Sequence, residues 1–209
     1  MTVDPSPLME CGVAQAALGG AATSGDAYLV HPTACGLLVA VIDGLGHGVE
    51  AAAAAQAAIG ALAAHAHRDI PELFAVCHEA LRGTRGAVMS AASIDARSAR
   101  LTWMAVGNVV GALFCGGSGD GRPRETVLMR GGILGPRMPR LQAATVPIRP
   151  CDLLIFATDG IRGGFERDVS LDGSPQEVAD RILARHAKAA DDALVLAGRW
   201  RGLAAGHSG

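Results

Sequence analysis

Aromatic side chains are scarce in this sequence: four Phe, two Trp and one Tyr among 209 residues. Proteins that bind single-stranded nucleic acid stack bases on aromatic platforms, so that class lacks its main tool here. A basic surplus is missing too. Eighteen Lys and Arg stand against 20 Asp and Glu, for a net charge of −2, and such a balance sets up no field for a polyanion. The five cysteines (Cys11, Cys35, Cys77, Cys115 and Cys151) are odd in number and never form a C-x-x-C pair. That excludes a zinc ribbon or a disulfide framework and suits a reducing cytoplasm. The opening MTVDPSPLME is not the basic and then apolar pattern of a secretory leader. The longest apolar stretch, Val49 to Ala66, is mostly Ala and is interrupted by Glu50, Gln56 and His65, which makes a poor membrane span. The expectation is a cytoplasmic monomer with no nucleic acid and no membrane among its partners.

What is present is enough for a folded domain. Half the residues are hydrophobic and only 18% are charged, which excludes disorder. The length bounds one domain, expected over 1–200, with a flexible tail over 201–209. Short β-rich runs occupy 26–30 and 36–42, and the second is apolar at nearly every position, as in a strand covered on both faces. An Ala-rich helix is expected over 49–66 and another from Pro71 to Gly83. Strand patterns return at 87–94, 100–106, 109–115, 126–129, 144–148 and 152–157. A helix from Pro175 to about Lys188 and a strand at 193–197 complete the pattern. Short hairpin links make such strands antiparallel and exclude a regular βαβ repeat. The simplest packing is a sandwich of sheets with helices on its outer faces. Cys35, Cys115 and Cys151 lie in or beside apolar runs and are expected in the core.

Acids stand at strand ends. Asp26 opens the first strand, Asp43 closes the second, Asp159 follows LLIFAT, and Asp191 and Asp192 precede the last strand. Carboxylates gathered at one edge of a sandwich repel and raise each other's pKa unless a cation neutralises them. With oxygen donors alone the expected ion is hard, Mg²⁺ or Mn²⁺ rather than Zn²⁺. Gly44 and Gly160 after two of the acids are expected to let the backbone bend and turn a carbonyl toward the ion. Any one Asp-Gly pair is more often a turn or a helix cap, and Asp43 could simply cap the Ala-rich helix. The case for metal rests on recurrence. A nucleotide loop fits less well, because Gly44 and Gly46 are followed by Val49 where a dinucleotide fingerprint needs its third Gly, and no P-loop Lys is present.

The segments GD (25–26), IDGLGHGVEA (42–51), AVGN (105–108), GGILG (131–135), DLLIFATDGI (152–161) and DDALVL (191–196) occur in one order. In that order the chain resembles the metal-dependent protein serine/threonine phosphatases of the 2C type, in their bacterial SpoIIE branch, and among these the RsbX-like members. The resemblance spans about 20–200. It implies an α+β fold, a four-layer α-β-β-α sandwich of two antiparallel sheets flanked by helices. It also implies two Mn²⁺ or Mg²⁺ ions, with Asp43 bridging, the Gly44 carbonyl and Asp26 on one, and Asp159 with Asp191 on the other; Asp192 is the neighbouring candidate. Two such cations, roughly 3.5 to 4 Å apart, activate a shared water for in-line attack on phosphorus. The implied substrates are phosphorylated STAS-domain regulators of stress or sigma-factor signalling. The sequence departs from the wider pattern in places. Leu45 stands where animal members carry a His, leaving His47 as the candidate general acid. The Arg that grips phosphate is missing, with Arg137 and Arg162 as the stand-ins. A non-catalytic interaction module on the same fold is the alternative, which retention of the acids disfavours.

Overall fold

The structure, a computed structural model, describes residues 7–21, 23–116, 125–167, 170 and 172–203. Most of the expected tail, 204–209, lies outside them. Arg201 is tied to the body through its N–H to the Leu8 carbonyl, at 2.8 Å, and through an ion pair with Glu10.

In chain order the strands are β1 (Met9–Ala16), β2 (Asp26–Thr33), β3 (Gly36–Gly44), β4 (Ala87–Asp95), β5 (Arg100–Val106), β6 (Val110–Phe114), β7 (Glu125–Thr126), β8 (Met129–Arg130), β9 (Ala144–Pro147), β10 (Leu153–Ala157) and β11 (Ala193–Trp200). The helices are α1 (Val49–Ala64), α2 (Ile70–Ala80) and α3 (Pro175–His186). One sheet runs β1-β11-β10-β6-β7. The other runs β2-β3-β4-β5-β8, with β9 also paired to β5. Pairing is antiparallel throughout except between β5 and β8, which is parallel.

Burial alternation builds the layers. In β3, Leu37, Val39 and Val41 face the other sheet, while Leu38, Ala40 and Ile42 face α1 and α2. In β11, Leu194 and Leu196 face inward, while Val195 and Ala197 meet α3. Both strands are covered on both sides, so both read as continuous apolar runs. The order of layers is therefore α1/α2, sheet, sheet, α3, the four-layer sandwich the motifs implied. Asp69 caps α2 by accepting from the Glu72 N–H at 3.0 Å, with Pro71 in the first turn. Ser174 and Glu177 form a capping box on α3.

The single strand expected over 126–129 is two short ones, β7 and β8, because the chain crosses there from one sheet to the other. Strand β1 was not foreseen; Met9–Ala16 has too few β-branched residues to announce itself and is a strand because it pairs along all of β11. Cys35 and Cys151 are exposed rather than core, since each sits in the turn beside a strand and not in it, and only Cys77 is buried. Among the described residues, no helix is long and apolar enough to cross a membrane.

Candidate metal centre

The same alternation decides where the acids point. Asp26 and Asp43 are register partners across β2 and β3. Each continues the series that faces the opposite sheet: Tyr28 and Val30 for Asp26, Val39 and Val41 for Asp43. Thr158 and Asp192 continue the inward series of Leu154–Phe156 and Leu194–Leu196 from the other sheet. Four strands thus bring polar side chains to one end of the inter-sheet core, where the apolar filling stops. A cleft of about 600 Å³ opens there, lined by Asp43, His47, Asn108, Asp159 and Asp191 among others.

Each carboxylate has a different setting. Asp26 is 6% exposed, and its Oδ2 accepts the Thr158 hydroxyl at 2.8 Å. Burial pushes its pKa up to about 7; the Thr158 bond opposes this, while Asp192, Asp159 and Asp191 add to it. Asp43 is raised to about 8, first by burial and then by Asp26, Asp159, Asp191 and Asp192. Among the described residues no donor reaches the Asp43 carboxylate. Asp159 Oδ2 accepts from Asn108 Nδ2 at 2.7 Å. Asp191 lines the cleft. Asp192 does not; it is 5% exposed, and its two oxygens accept the backbone N–H groups of Leu18 and Gly25, each at 2.7 Å.

Close backbone approach, rather than a sharp bend, explains the two Asp-Gly pairs. A Cβ on Gly44 would lie 2.1 Å from the Ala51 carbonyl oxygen of α1, and one on Gly160 would lie 1.8 Å from the Asp192 carbonyl oxygen. Neither has a positive φ; within this loop the left-handed positions are Gly46, at 91°, and Gly48, at 78°. Asp43 does not cap α1, whose N-cap is Gly48 with no side-chain bond. His47 is exposed at the cleft.

The stand-ins for a phosphate grip do not reach the cleft. Arg162 donates Nη2 to the Arg185 carbonyl at 2.8 Å, at the end of α3, and Arg137 lies in the turn paired with Ile133. Sequence reading missed Arg85, which ion-pairs with Glu50 and whose Nη1 would lie 2.7 Å from a Cβ on Gly46. It also missed the roles of Asn108 and Thr158, and of Lys188, whose ammonium group donates to the Asp159 carbonyl.

The donor set suits a hard divalent cation: oxygen only, acids from four strand ends, and a central carboxylate without a donor of its own. Among the described residues, no three His, Cys, Asp or Glu side chains are closed up around one point. Asp43, Asp159 and Asp191 line the cleft, and the pKa of Asp43 is raised first by its burial and then by the surrounding acids.

The family model for stage II sporulation protein E, SpoIIE, matches residues 34–201. The chain belongs to the SpoIIE family. It is thereby a PP2C-type protein serine/threonine phosphatase domain, as the order of its motifs implied. A chain from a structure of the bacterial stressosome is 31% identical with a TM-score of 0.83, over 91% of this chain and 99% of that one. RsbX in complex with magnesium is 23% identical, also with a TM-score of 0.83, over 95% of this chain and 98% of that one. The catalytic domain of the phosphatase PstP in complex with two manganese ions is 17% identical with a TM-score of 0.68, over 93% of this chain and 99% of that one. These last two share the fold. No curated protein matches the sequence.

Proposed function

We propose that the chain, as one catalytic domain over 1–200, hydrolyses phosphoserine or phosphothreonine on phosphorylated STAS-domain regulators in the cytoplasm, as a monomer dependent on two Mn²⁺ or Mg²⁺ ions. The observation that carries the reading is Asp43: a partly buried carboxyl with no donor, raised to about 8 by burial and by four other acids. A pair of divalent cations would lower the pKa of a water held in the cleft and supply the nucleophile. Asp43 and Asp26 with the Gly44 carbonyl, and Asp43 with Asp159 and Asp191, are the groups that would hold them.

The chain's own residues do the rest. Asn108 fixes the Asp159 carboxylate through one of its oxygens. Thr158 orients Asp26, and its hydroxyl is itself fixed by accepting the Leu194 N–H at 2.9 Å. Asp192 shapes the wall by holding Leu18 and Gly25, and Asp191 is the ligand of the pair. His47, the imidazole at the cleft, gives a proton to the departing serine or threonine oxygen. The stressosome and RsbX likenesses support the substrate class.

The first test is hydrolysis of p-nitrophenyl phosphate with Mn²⁺, with and without EDTA, and then of a phosphorylated STAS-domain protein. Turnover that EDTA abolishes is expected. No turnover of either by metal-loaded protein favours the interaction module.

A further inference from the structure

A second recess, of about 450 Å³, adjoins the cleft and is lined by Arg130, Arg140, Leu141 and Gln142. Its Arg130 directly precedes Gly131, which lines the catalytic cleft. The Arg130 carbonyl accepts the Gly107 N–H at 2.8 Å, and Gly107, Asn108, Gly131 and Gly132 all line the catalytic cleft.

Its two guanidinium groups are unusual in their partners. Arginine stays charged at every physiological pH, and its fork of donors matches carboxylate and phosphate oxygens. Yet among the described residues neither Arg130 nor Arg140 is paired with a carboxylate. Arg130 reaches only the side-chain oxygen of Gln142, a neutral acceptor. Its Nε is buried with no hydrogen-bond partner.

The surroundings indicate that an acceptor for these groups arrives on a protein. Leu128, Met129 and Met138, next in sequence to this recess, are 58%, 47% and 37% exposed. Arg and Met are enriched where protein surfaces meet, and a free small anion would have no use for the apolar rim.

We infer that Arg130 and Arg140 form an oxyanion subsite beside the catalytic cleft, which takes an acidic group of the phosphoprotein substrate near the scissile phosphoserine. The acidic group is a carboxylate or a second phosphate. The inference rests on the phosphatase reading and adds a determinant of substrate choice to it.

Three phosphoserine peptides of equal length test it, flanked by Ala, by Glu or by a second phosphoserine, with the intact chain and Mn²⁺. The wild type should favour at least one charged peptide over the Ala peptide by about tenfold in kcat/KM, the scale of one charge-assisted bidentate contact. Whichever is favoured names the group. Arg140→Glu, a change on an exposed side chain, and Arg130→Gln should bring the ratio to about one or below. A wild-type ratio near one, or a ratio unaltered in both variants, overturns the inference. A wild type that fails to hydrolyse p-nitrophenyl phosphate with Mn²⁺ would sink the phosphatase reading instead. Fluorescence anisotropy of the labelled peptides on Asp43→Asn then reads the same preference as affinity, with the same two outcomes.

Discussion

Replacing Asp43 by Asn should stabilise the metal-free protein and, in the same stroke, remove most of its response to Mn²⁺. Folding lifts the Asp43 pKa from 3.8 to about 8. Near pH 7 the folded form therefore keeps its proton while the unfolded chain releases it, at a cost of about 1.4 kcal/mol per pH unit above 3.8, or at most about 4 kcal/mol. Asn keeps the shape and removes the titration. For a chain of this size, about 4 kcal/mol corresponds to a rise in Tm on the order of 10 °C. The sign follows from linkage. A carboxyl whose pKa is raised on folding contributes stability below the unfolded pKa and loses it as pH rises through the folded one. Metal-free wild type should thus melt at steadily lower temperature from about pH 4 to 8, and Asp43→Asn should do so less steeply. With Mn²⁺ the gap narrows: a hundredfold excess over the dissociation constant adds about 2.7 kcal/mol to the wild type, while the variant, lacking the shared ligand, gains little. Thermal melts of both proteins, in EDTA and in Mn²⁺, across that pH range are the assay. An Asn variant less stable than wild type in EDTA, or one that Mn²⁺ stabilises as much, refutes the reasoning.

Other outcomes follow from the same geometry. Asn108→Ala frees the Asp159 carboxylate and should weaken Mn²⁺ binding by about 10- to 100-fold by calorimetry, the usual scale for a group that orients a ligand; unchanged affinity would show that Asp159 needs no orienting. Asp191→Asn should abolish turnover with little change in Tm, whereas Asp192→Asn should lower Tm through Leu18 and Gly25 and keep Mn²⁺ affinity; the reverse pattern would exchange their roles. His47→Ala should slow phosphoserine peptides by at least about 10²-fold but p-nitrophenyl phosphate by far less, because nitrophenolate leaves without a proton. Equal losses on both substrates would remove the acid role.

The acids were legible because they interrupt strong patterns. Asp43 and Asp159 end apolar runs that only a buried strand explains, so their place at sheet edges followed from period and burial alone. The convergence of those edges also followed, once antiparallel hairpins required a sandwich. What escaped notice depends on partners distant in sequence. Thr158 looked like part of a strand end until its hydroxyl met Asp26, 132 residues away. Asn108 shows nothing of its role until its side chain meets Asp159, 51 residues away. Strand β1 carries little signal of its own and exists through β11. Glycine misled for a related reason: Gly44 and Gly160 are required by the carbonyls of Ala51 and Asp192, which no local pattern reveals. The distinction between Asp191 and Asp192 likewise waits on which of them faces the backbone of Leu18 and Gly25.

Anomalous diffraction from crystals grown with Mn²⁺ tests the central claim most directly. The account predicts two peaks in the cleft, both against Asp43, one also against Asp26 and the Gly44 carbonyl and the other also against Asp159 and Asp191. Absence of density there, or a single ion that leaves Asp43 without a contact, would contradict it.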